Sequence, residues 1–144
     1  MPVRWLAALI LLPGAVLLPA AEPRPRPNLV MVFIDDLGWG DFSCFGNTAA
    51  RTPNIDRLAR EGLRFEQFYV AMPICSPSRC GLITGSYPAR WNITSFLQTK
   101  KGNSGCEMAD FLDPAAPTLP RAMKTAGYAT GHFGKWHLGG GRDV

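Results

Sequence analysis

The apolar run at residues 28–34, which ends directly at two aspartates, constrains the fold of this chain more than any other feature. Its sequence, Asn-Leu-Val-Met-Val-Phe-Ile, is continuous rather than alternating and is rich in β-forming residues. Such a run predicts a strand that is buried on both faces, as in a parallel sheet covered by helices. The turn-forming residues at 35–41 end the predicted strand.

Helix signals alternate with β-prone segments along the rest of the chain. Thr52 and Pro53, for example, suit the N-cap and the first position of a helix. This alternation predicts an α/β domain with a mostly parallel sheet flanked by helices. A stretch rich in Pro, Gly, Asn and Asp is expected to be a long irregular excursion over the surface. Helices are predicted at residues 52–62, 76–84 and 118–127, further strands at 63–70 and 128–133, the excursion at 86–117, and a glycine-rich loop at 134–141.

The beginning of the chain predicts export. Arg4 precedes an apolar run at 5–18, which is followed by small residues and then by a proline-rich stretch. This order is typical of a secretory signal peptide, predicted at residues 1–21, with residues 22–27 as a stiff linker. A membrane anchor is the alternative, but the run is short for a spanning helix and Pro13 interrupts it. We expect an exported protein without a stable membrane anchor, in the periplasm, the extracellular space or the lysosome according to its source.

Composition excludes two classes of protein. The chain is 47% hydrophobic and 18% charged, so it can bury a core and is not of the disordered class. Its formal charge is +4, but positive and negative residues alternate and form no basic block. We therefore expect no nucleic acid among its partners.

Four cysteines leave more than one interpretation open. Export implies an oxidising compartment, in which four cysteines could form two disulfides in three ways. A zinc site is less favoured, because no CxxC pair is present and the two histidines lie far from the cysteines in sequence. The cysteines are Cys44, Cys75, Cys80 and Cys106.

Asp35 and Asp36 directly follow the predicted buried strand. In open α/β sheets, ligands bind at the carboxyl ends of the strands. Two adjacent carboxylates repel each other unless a cation lies between them, and hard divalent cations take oxygen ligands of this kind. The pair is thus a candidate metal site, and a solvated turn is the alternative.

Cys75 precedes Ser76 and Pro77, which are favourable residues for the start of a helix. The thiol is therefore expected at the positive end of a helix dipole, where free N–H groups favour an anion. Arg79 follows about one helical turn later and can reach the same point. The pattern indicates a nucleophile beside an anion-binding site, and the alternative is a disulfide from Cys75 to Cys80 or another cysteine.

These motifs resemble those of the type I sulfatases, a formylglycine-dependent family of the alkaline-phosphatase-like superfamily. Cys-x-Pro-Ser-Arg followed by Thr-Gly is similar to the family signature, and Gly-His-Phe-Gly-Lys-Trp-His-Leu-Gly resembles its second signature. The Ile-Asp-Asp-Leu-Gly segment and the segment beginning Thr-Pro-Asn-Ile resemble its first strand, metal loop and first helix. The matches lie, in family order, at residues 28–41, 52–59, 75–85 and 131–139. The resemblance implies an alkaline-phosphatase-like α/β fold, of which residues 28–144 are the incomplete N-terminal part.

The resemblance implies roles for the acidic pair and the cysteine. Asp35 and Asp36 match the two family aspartates that bind the active-site Ca²⁺. Cys75 matches the cysteine that a formylglycine-generating enzyme oxidises, and the resulting group also contacts the metal. Calcium suits an all-oxygen site better than zinc does.

Three basic residues also gain roles from the resemblance. Arg79 matches the arginine that steadies formylglycine, and Lys135 and His137 match the lysine and histidine that hold it and the sulfate. Taken alone, Lys135 and His137 could be surface groups on a glycine-rich loop. His132 lies outside the family pattern and is expected to be structural.

The implied reaction is sulfate ester hydrolysis. One hydroxyl of the aldehyde hydrate attacks the ester, and the other loses its proton and expels sulfate. The implied substrates are sulfated polysaccharides, glycosaminoglycans or aryl sulfates. Family members are much longer and take further metal ligands from a later part of the chain, so we expect this polypeptide alone to be inactive. A phosphoesterase or phosphonate hydrolase of the same superfamily, or a truncated non-catalytic protein, is the alternative.

Overall fold

The computed structural model describes residues 26–139. The predicted signal peptide, most of the linker and the end of the glycine-rich loop lie outside this range. The chain divides into two units between Val32 and Phe33. Of the first unit, residues 26–32 are described, and they form an exposed segment without regular secondary structure.

The predicted parallel sheet is not confirmed, because residues 26–139 contain no β-strand. The segments 28–34, 63–70 and 128–133 are irregular or extended instead. A strand is defined by hydrogen bonds to a neighbouring strand, and none of these segments has such a partner within the described range. Val30, at the centre of the expected buried run, is 88% exposed. A sequence rich in β-forming residues therefore predicts which segment can form a strand, but it does not determine which strand pairs with that segment.

The helices agree better with the sequence pattern. The predicted helices are confirmed with slightly different ends, and α2 begins at Cys75, one residue earlier than expected. A fourth helix, α3, lies in the segment that was predicted to be irregular. Two short 3₁₀ turns occupy Ser43–Phe45 and Pro88–Trp91. The helices are α1 (Pro53–Glu61), α2 (Cys75–Thr84), α3 (Lys100–Gly105) and α4 (Leu119–Thr125).

A small hydrogen-bond network joins α1 to the loop that follows the two aspartates. Thr52 occupies the N-cap position, but its side chain caps no N–H of α1. Its hydroxyl donates to Asp56 Oδ1 at 3.0 Å and accepts from the Ser43 N–H at 3.0 Å. The Ser43 hydroxyl donates to Asp56 Oδ2 at 2.7 Å, and this bond is the main reason why the pKa of Asp56 lies below its ordinary value. These bonds hold Ser43, in the loop that follows the aspartates, against the start of α1.

The predicted surface excursion at 86–117 is wrong, because this segment supplies much of the core. Its polar residues satisfy one another inside the fold. Asn103, fully buried, accepts from the Gln98 N–H at 2.8 Å and donates to Asp110 Oδ1 at 3.1 Å. Because buried polar groups need partners, such a residue can hold an irregular chain in the interior. The buried core cluster consists of Cys80, Ile93, Leu97, Leu112, Ala116 and Leu138.

The structure also describes the state of the cysteines and the length of the helices. All four cysteines are free thiols, so none of the three possible pairings is formed. Between residues 26 and 139, no helix has the length and apolar character needed to cross a bilayer.

Candidate active site

Cys75 is the first residue of α2, and the chain approaches it in an extended conformation at Ile74. The Ser78 N–H bonds to the Ile74 carbonyl at 3.0 Å and closes the first turn. Ser76 and Pro77 are buried, whereas Cys75 itself is half-buried and free. Helix α2 therefore holds the thiol at its N-terminal end, as the sequence predicted.

Asp35 is the centre of a compact ionic cluster. Its Oδ1 lies 3.0 Å from Arg79 Nη2, and its Oδ2 lies 2.5 Å from Lys135 Nζ. The three residues come from distant parts of the sequence, and Asp35 and Lys135 are 100 residues apart. The structure thus brings together three of the residues that the sequence proposed for the site.

Arg79 is the most enclosed member of this cluster, with only 10% of its side chain exposed. Its Nη1 donates to the Lys135 carbonyl at 2.6 Å, and its guanidinium lies 5.4 Å from the centre of the Phe33 ring. Two directed bonds and a cation–π contact fix the plane of the guanidinium. Its Nε is buried and has no hydrogen-bond partner among the described residues.

The pKa values within the cluster shift in the directions that ion pairing requires. The hydrogen bond from Lys135, followed by that from Arg79, lowers the pKa of Asp35. The bond to Asp35 raises the pKa of Lys135, and attraction to Cys75 adds to this effect. These shifts favour the charged forms of Asp35 and Lys135. Both partners of the pair are charged at neutral pH.

Asp36 and His137 do not join the ionic cluster. The Asp36 carboxylate is exposed and makes no ion pair or hydrogen bond within the described range. The ring of His137 contacts the Leu97 carbonyl through Nε2 at 3.0 Å. Both residues have left-handed backbone angles, with φ of 53° at Asp36 and 52° at His137. Such angles are strained for residues other than glycine and often occur at functional sites.

The predicted metal ligands do not complete a metal site. In the part of the chain that the structure describes, no group of three or more His, Cys, Asp or Glu side chains could hold an ion. Both oxygens of Asp35 are already engaged by cations. A calcium ion takes six to eight oxygen ligands, so Asp35 and Asp36 alone do not fit it.

Two contributors to the site have no role in the sequence analysis. Phe33 lies two residues before Asp35 and supplies the face on which Arg79 rests. Leu97 contacts the site through its backbone, which carries no sequence signal. Residues two apart lie on one face of an extended strand, so the strand predicted from the sequence could have identified Phe33 as a neighbour of Asp35.

The chain is similar to several known proteins over most of its length. The family model described as Sulfatase matches residues 27–142. The steryl-sulfatase of Rattus norvegicus is 43% identical over 126 residues, which cover 83% of this chain and 21% of the rat protein. The N-acetylgalactosamine-6-O-sulfatase of Bacteroides thetaiotaomicron is 43% identical over 146 residues, covering 92% of this chain and 27% of that protein. Human arylsulfatase A is 41% identical over 123 residues, covering 85% and 23%.

A solved structure is also similar. It is a sulfatase from work on the metabolism of multiple glycosaminoglycans by Bacteroides thetaiotaomicron, with a TM-score of 0.62 and 44% identity. The match covers 73% of this chain and 20% of the solved chain. This neighbour belongs to the alkaline-phosphatase-like superfamily. The chain spans about a fifth to a quarter of the length of the relatives that it matches. On the family match and these identities, the chain belongs to the sulfatase family.

Proposed function

We propose that this chain is the N-terminal part of the catalytic domain of a sulfuric ester hydrolase, spanning residues 28–144. The observation that carries the proposal is the meeting of Arg79 and Lys135 at Asp35, with Arg79 on the helix that begins at Cys75. Two cations beside a helix N-terminus suit a dianionic or monoanionic oxyester group. The names of the relatives refer to sulfatases and favour sulfate as that group.

Cys75 is proposed as the residue that a formylglycine-generating enzyme converts. It is a free, half-buried thiol at the first position of α2, so it is not consumed by a disulfide. When formed, a formylglycine hydrate would supply one hydroxyl to attack sulfur, breaking the ester S–O bond and releasing the alcohol, and a second whose deprotonation would expel sulfate and restore the aldehyde. The sequence from Cys75 to Arg79 also retains the residue types that the family signature requires.

The cations have separate roles in this proposal. Arg79 is held in one orientation, so it can direct fixed N–H groups towards the oxygens of a bound sulfate. Lys135 is more exposed and carries a compact charge, which can offset negative charge that develops on the transferring group. His137 is proposed to hold or move a hydroxyl proton at the site.

Asp35 and Asp36 are proposed as the N-terminal share of a Ca²⁺ site. The remaining oxygen ligands would come from the part of the longer relatives that this chain does not cover. In the structure, both oxygens of Asp35 pair with cations. A bound ion would supply charge stabilisation for a sulfate oxygen.

The proposed substrate class is a sulfate ester of a polysaccharide, a glycosaminoglycan or an aryl alcohol. This range follows the names of the relatives, which include N-acetylgalactosamine-6-sulfatases and arylsulfatase A. The signal peptide predicted at residues 1–21 is the reason for proposing export to the periplasm, the extracellular space or the lysosome.

The test begins with the coding locus beyond Val144, to obtain the full-length polypeptide that contains this sequence. This polypeptide is produced together with a formylglycine-generating enzyme, and the Cys75 peptide is analysed by mass spectrometry. We expect the mass decrease that accompanies replacement of the thiol by an aldehyde, together with turnover of an aryl sulfate. Cys75→Ala is expected to lower kcat by roughly 10⁴-fold or more, because it removes the nucleophile.

Cys106→Ala is the matched control, because this thiol is exposed and free, and it should leave turnover unchanged. Aryl phosphate is assayed in parallel. Faster hydrolysis of phosphate than of sulfate would favour the phosphoesterase alternative. An unmodified Cys75 in an inactive full-length protein would favour the non-catalytic one.

A further inference from the structure

The backbone of Leu97 bridges two parts of the candidate site. Its N–H donates to Ser76 Oγ at 3.0 Å, and its carbonyl oxygen lies 3.0 Å from His137 Nε2. Ser76 directly follows Cys75 in α2, and His137 lies two residues after Lys135. A single buried residue therefore connects the start of α2 to the segment that carries both proposed basic groups.

This contact selects one tautomer of the His137 ring. A carbonyl oxygen can only accept a hydrogen bond, so the proton of the neutral ring lies on Nε2. Nδ1 then carries the lone pair. Nδ1 is buried and has no hydrogen-bond partner among residues 26–139, although buried polar atoms usually have one.

The surroundings hold both ends of this contact in place. The Leu138 carbonyl accepts from the Leu112 N–H at 3.0 Å, and the Leu138 side chain is buried in the core cluster. On the other side, the Gln98 N–H donates to buried Asn103. These bonds hold Leu138 and Gln98, which flank the two partners in sequence. The neighbouring residues therefore help to fix the distance between the Leu97 carbonyl and the His137 ring.

We infer that Ser76 is a positioning residue, which holds Leu97 so that its carbonyl fixes His137 as the Nε2-protonated tautomer. Nδ1 is then the ring atom that accepts a hydrogen bond from a hydroxyl at the site. The identity of that hydroxyl rests on the proposed function, in which it belongs to the group derived from Cys75. The tautomer itself follows from the contacts of Leu97 and is independent of the reaction.

The first experiment measures the tautomer directly. The full-length polypeptide is labelled at histidine, and long-range ¹H–¹⁵N spectra distinguish a protonated from an unprotonated ring nitrogen. His137→Gln assigns the signals. We expect a protonated Nε2 and a bare Nδ1 in the wild type, and a mixture of tautomers in Ser76→Ala. An Nδ1-protonated ring in the wild type overturns the inference whether or not the protein hydrolyses sulfate esters.

The second experiment measures the consequence for catalysis. Because Ser76 neighbours Cys75, kcat is divided by the fraction of Cys75 that mass spectrometry finds converted. Ser76→Ala is expected to lower this normalised kcat by about 10- to 100-fold with little change in KM. Ser76→Thr keeps the hydroxyl and should recover most of the loss.

Ser86→Ala is the matched control, since Ser86 is half-buried and its hydrogen bonds reach only Thr84. A normalised kcat of Ser76→Ala equal to that of the wild type would refute the positioning role. Should Ser76→Ala not fold, the wild-type spectrum still tests the tautomer on which the positioning role depends. Absence of sulfatase turnover in a wild type with the expected tautomer would count against the proposed function alone.

Discussion

At the residue scale, Arg79 makes two polar contacts in the site, as many as Asp35 does. One terminal nitrogen pairs with Asp35, and the other donates to the Lys135 carbonyl. A planar guanidinium can do both at once because its donors diverge in a fixed fork. Arg79 thereby connects α2 to the segments that carry the other two members of the cluster.

Arg79→Lys is expected to lower kcat/KM for an aryl sulfate by roughly 10²-fold in the full-length polypeptide, because an ammonium group cannot make both contacts. Steady-state kinetics with the fraction of modified Cys75 determined in parallel measures this loss. Arg90→Lys, at an exposed arginine in the 3₁₀ turn Pro88–Trp91, is the control. Equal kinetics for Arg79→Lys and the wild type would show that the two diverging N–H donors of the guanidinium are not needed.

Backbone angles give a signal that does not depend on any motif. Four non-glycine residues in the described range have positive φ, and two of them are Asp36 and His137. Strain of this kind persists where the surrounding structure imposes it. The coincidence with two proposed site residues supports a functional role for both, although neither lies in the ionic cluster.

At the element scale, α2 is the helix on which the site is built. It packs against the 3₁₀ turn at Pro88–Trp91 and against α4. Gly81 lies on its packed side, where an added Cβ would come within 2.7 Å of the Ala71 Cβ. Because the Ala71 methyl group is rigidly attached to the backbone, it cannot move aside as a long side chain would.

Gly81→Ala is expected to lower the free energy of unfolding by about 1–3 kcal/mol, the usual cost of overpacking. Gly105→Ala, at the end of α3, meets open space within 4 Å and should be neutral or slightly stabilising, since alanine favours helix. Denaturant unfolding of the two variants beside the wild type makes the comparison. A destabilisation of the same size at both positions would contradict the packing argument.

At the scale of the whole molecule, many apolar side chains of the described range face solvent. The first unit exposes Val30 and its neighbours, and in the second unit Phe133 is 93% exposed. Isolated exposed apolar residues are common, but runs of them mark surfaces that are normally covered. Exposed apolar residues include Leu29, Val30, Met31, Val32, Leu63, Phe65, Phe68, Tyr69 and Phe133.

The 144-residue polypeptide produced alone is therefore expected to be marginally stable and inactive. It should bind a hydrophobic dye strongly, because its apolar segments are exposed within the described range. It should lack turnover of aryl sulfates, because the proposed ligands Asp35 and Asp36 belong to no group of described residues that could hold an ion. Dye fluorescence and a sulfatase assay, with the full-length polypeptide as the reference, test both points. Clear turnover by the 144-residue chain would contradict this expectation.

Local sequence signals determined α1, α2 and α4, but not α3, and the identity of the candidate residues. Thr52 and Pro53 begin α1, and glycine follows its end, because capping and proline geometry are local properties. The position of Cys75 at the start of α2 follows from the same rules. The sequence resemblance also selected Asp35, Arg79 and Lys135, which the fold brings together.

Only the tertiary structure decided how these parts meet. The β-prone residues at 28–34 require a partner strand, and their composition does not determine which segment provides it. Within the described range no segment does, so the expected sheet is not formed there. The polar segment at 86–117 enters the core because Asn103 satisfies its backbone groups, a contact between side chain and backbone that composition does not reveal. The contact between Leu97 and His137 involves a main-chain carbonyl, which every residue carries, and so depends on folding alone.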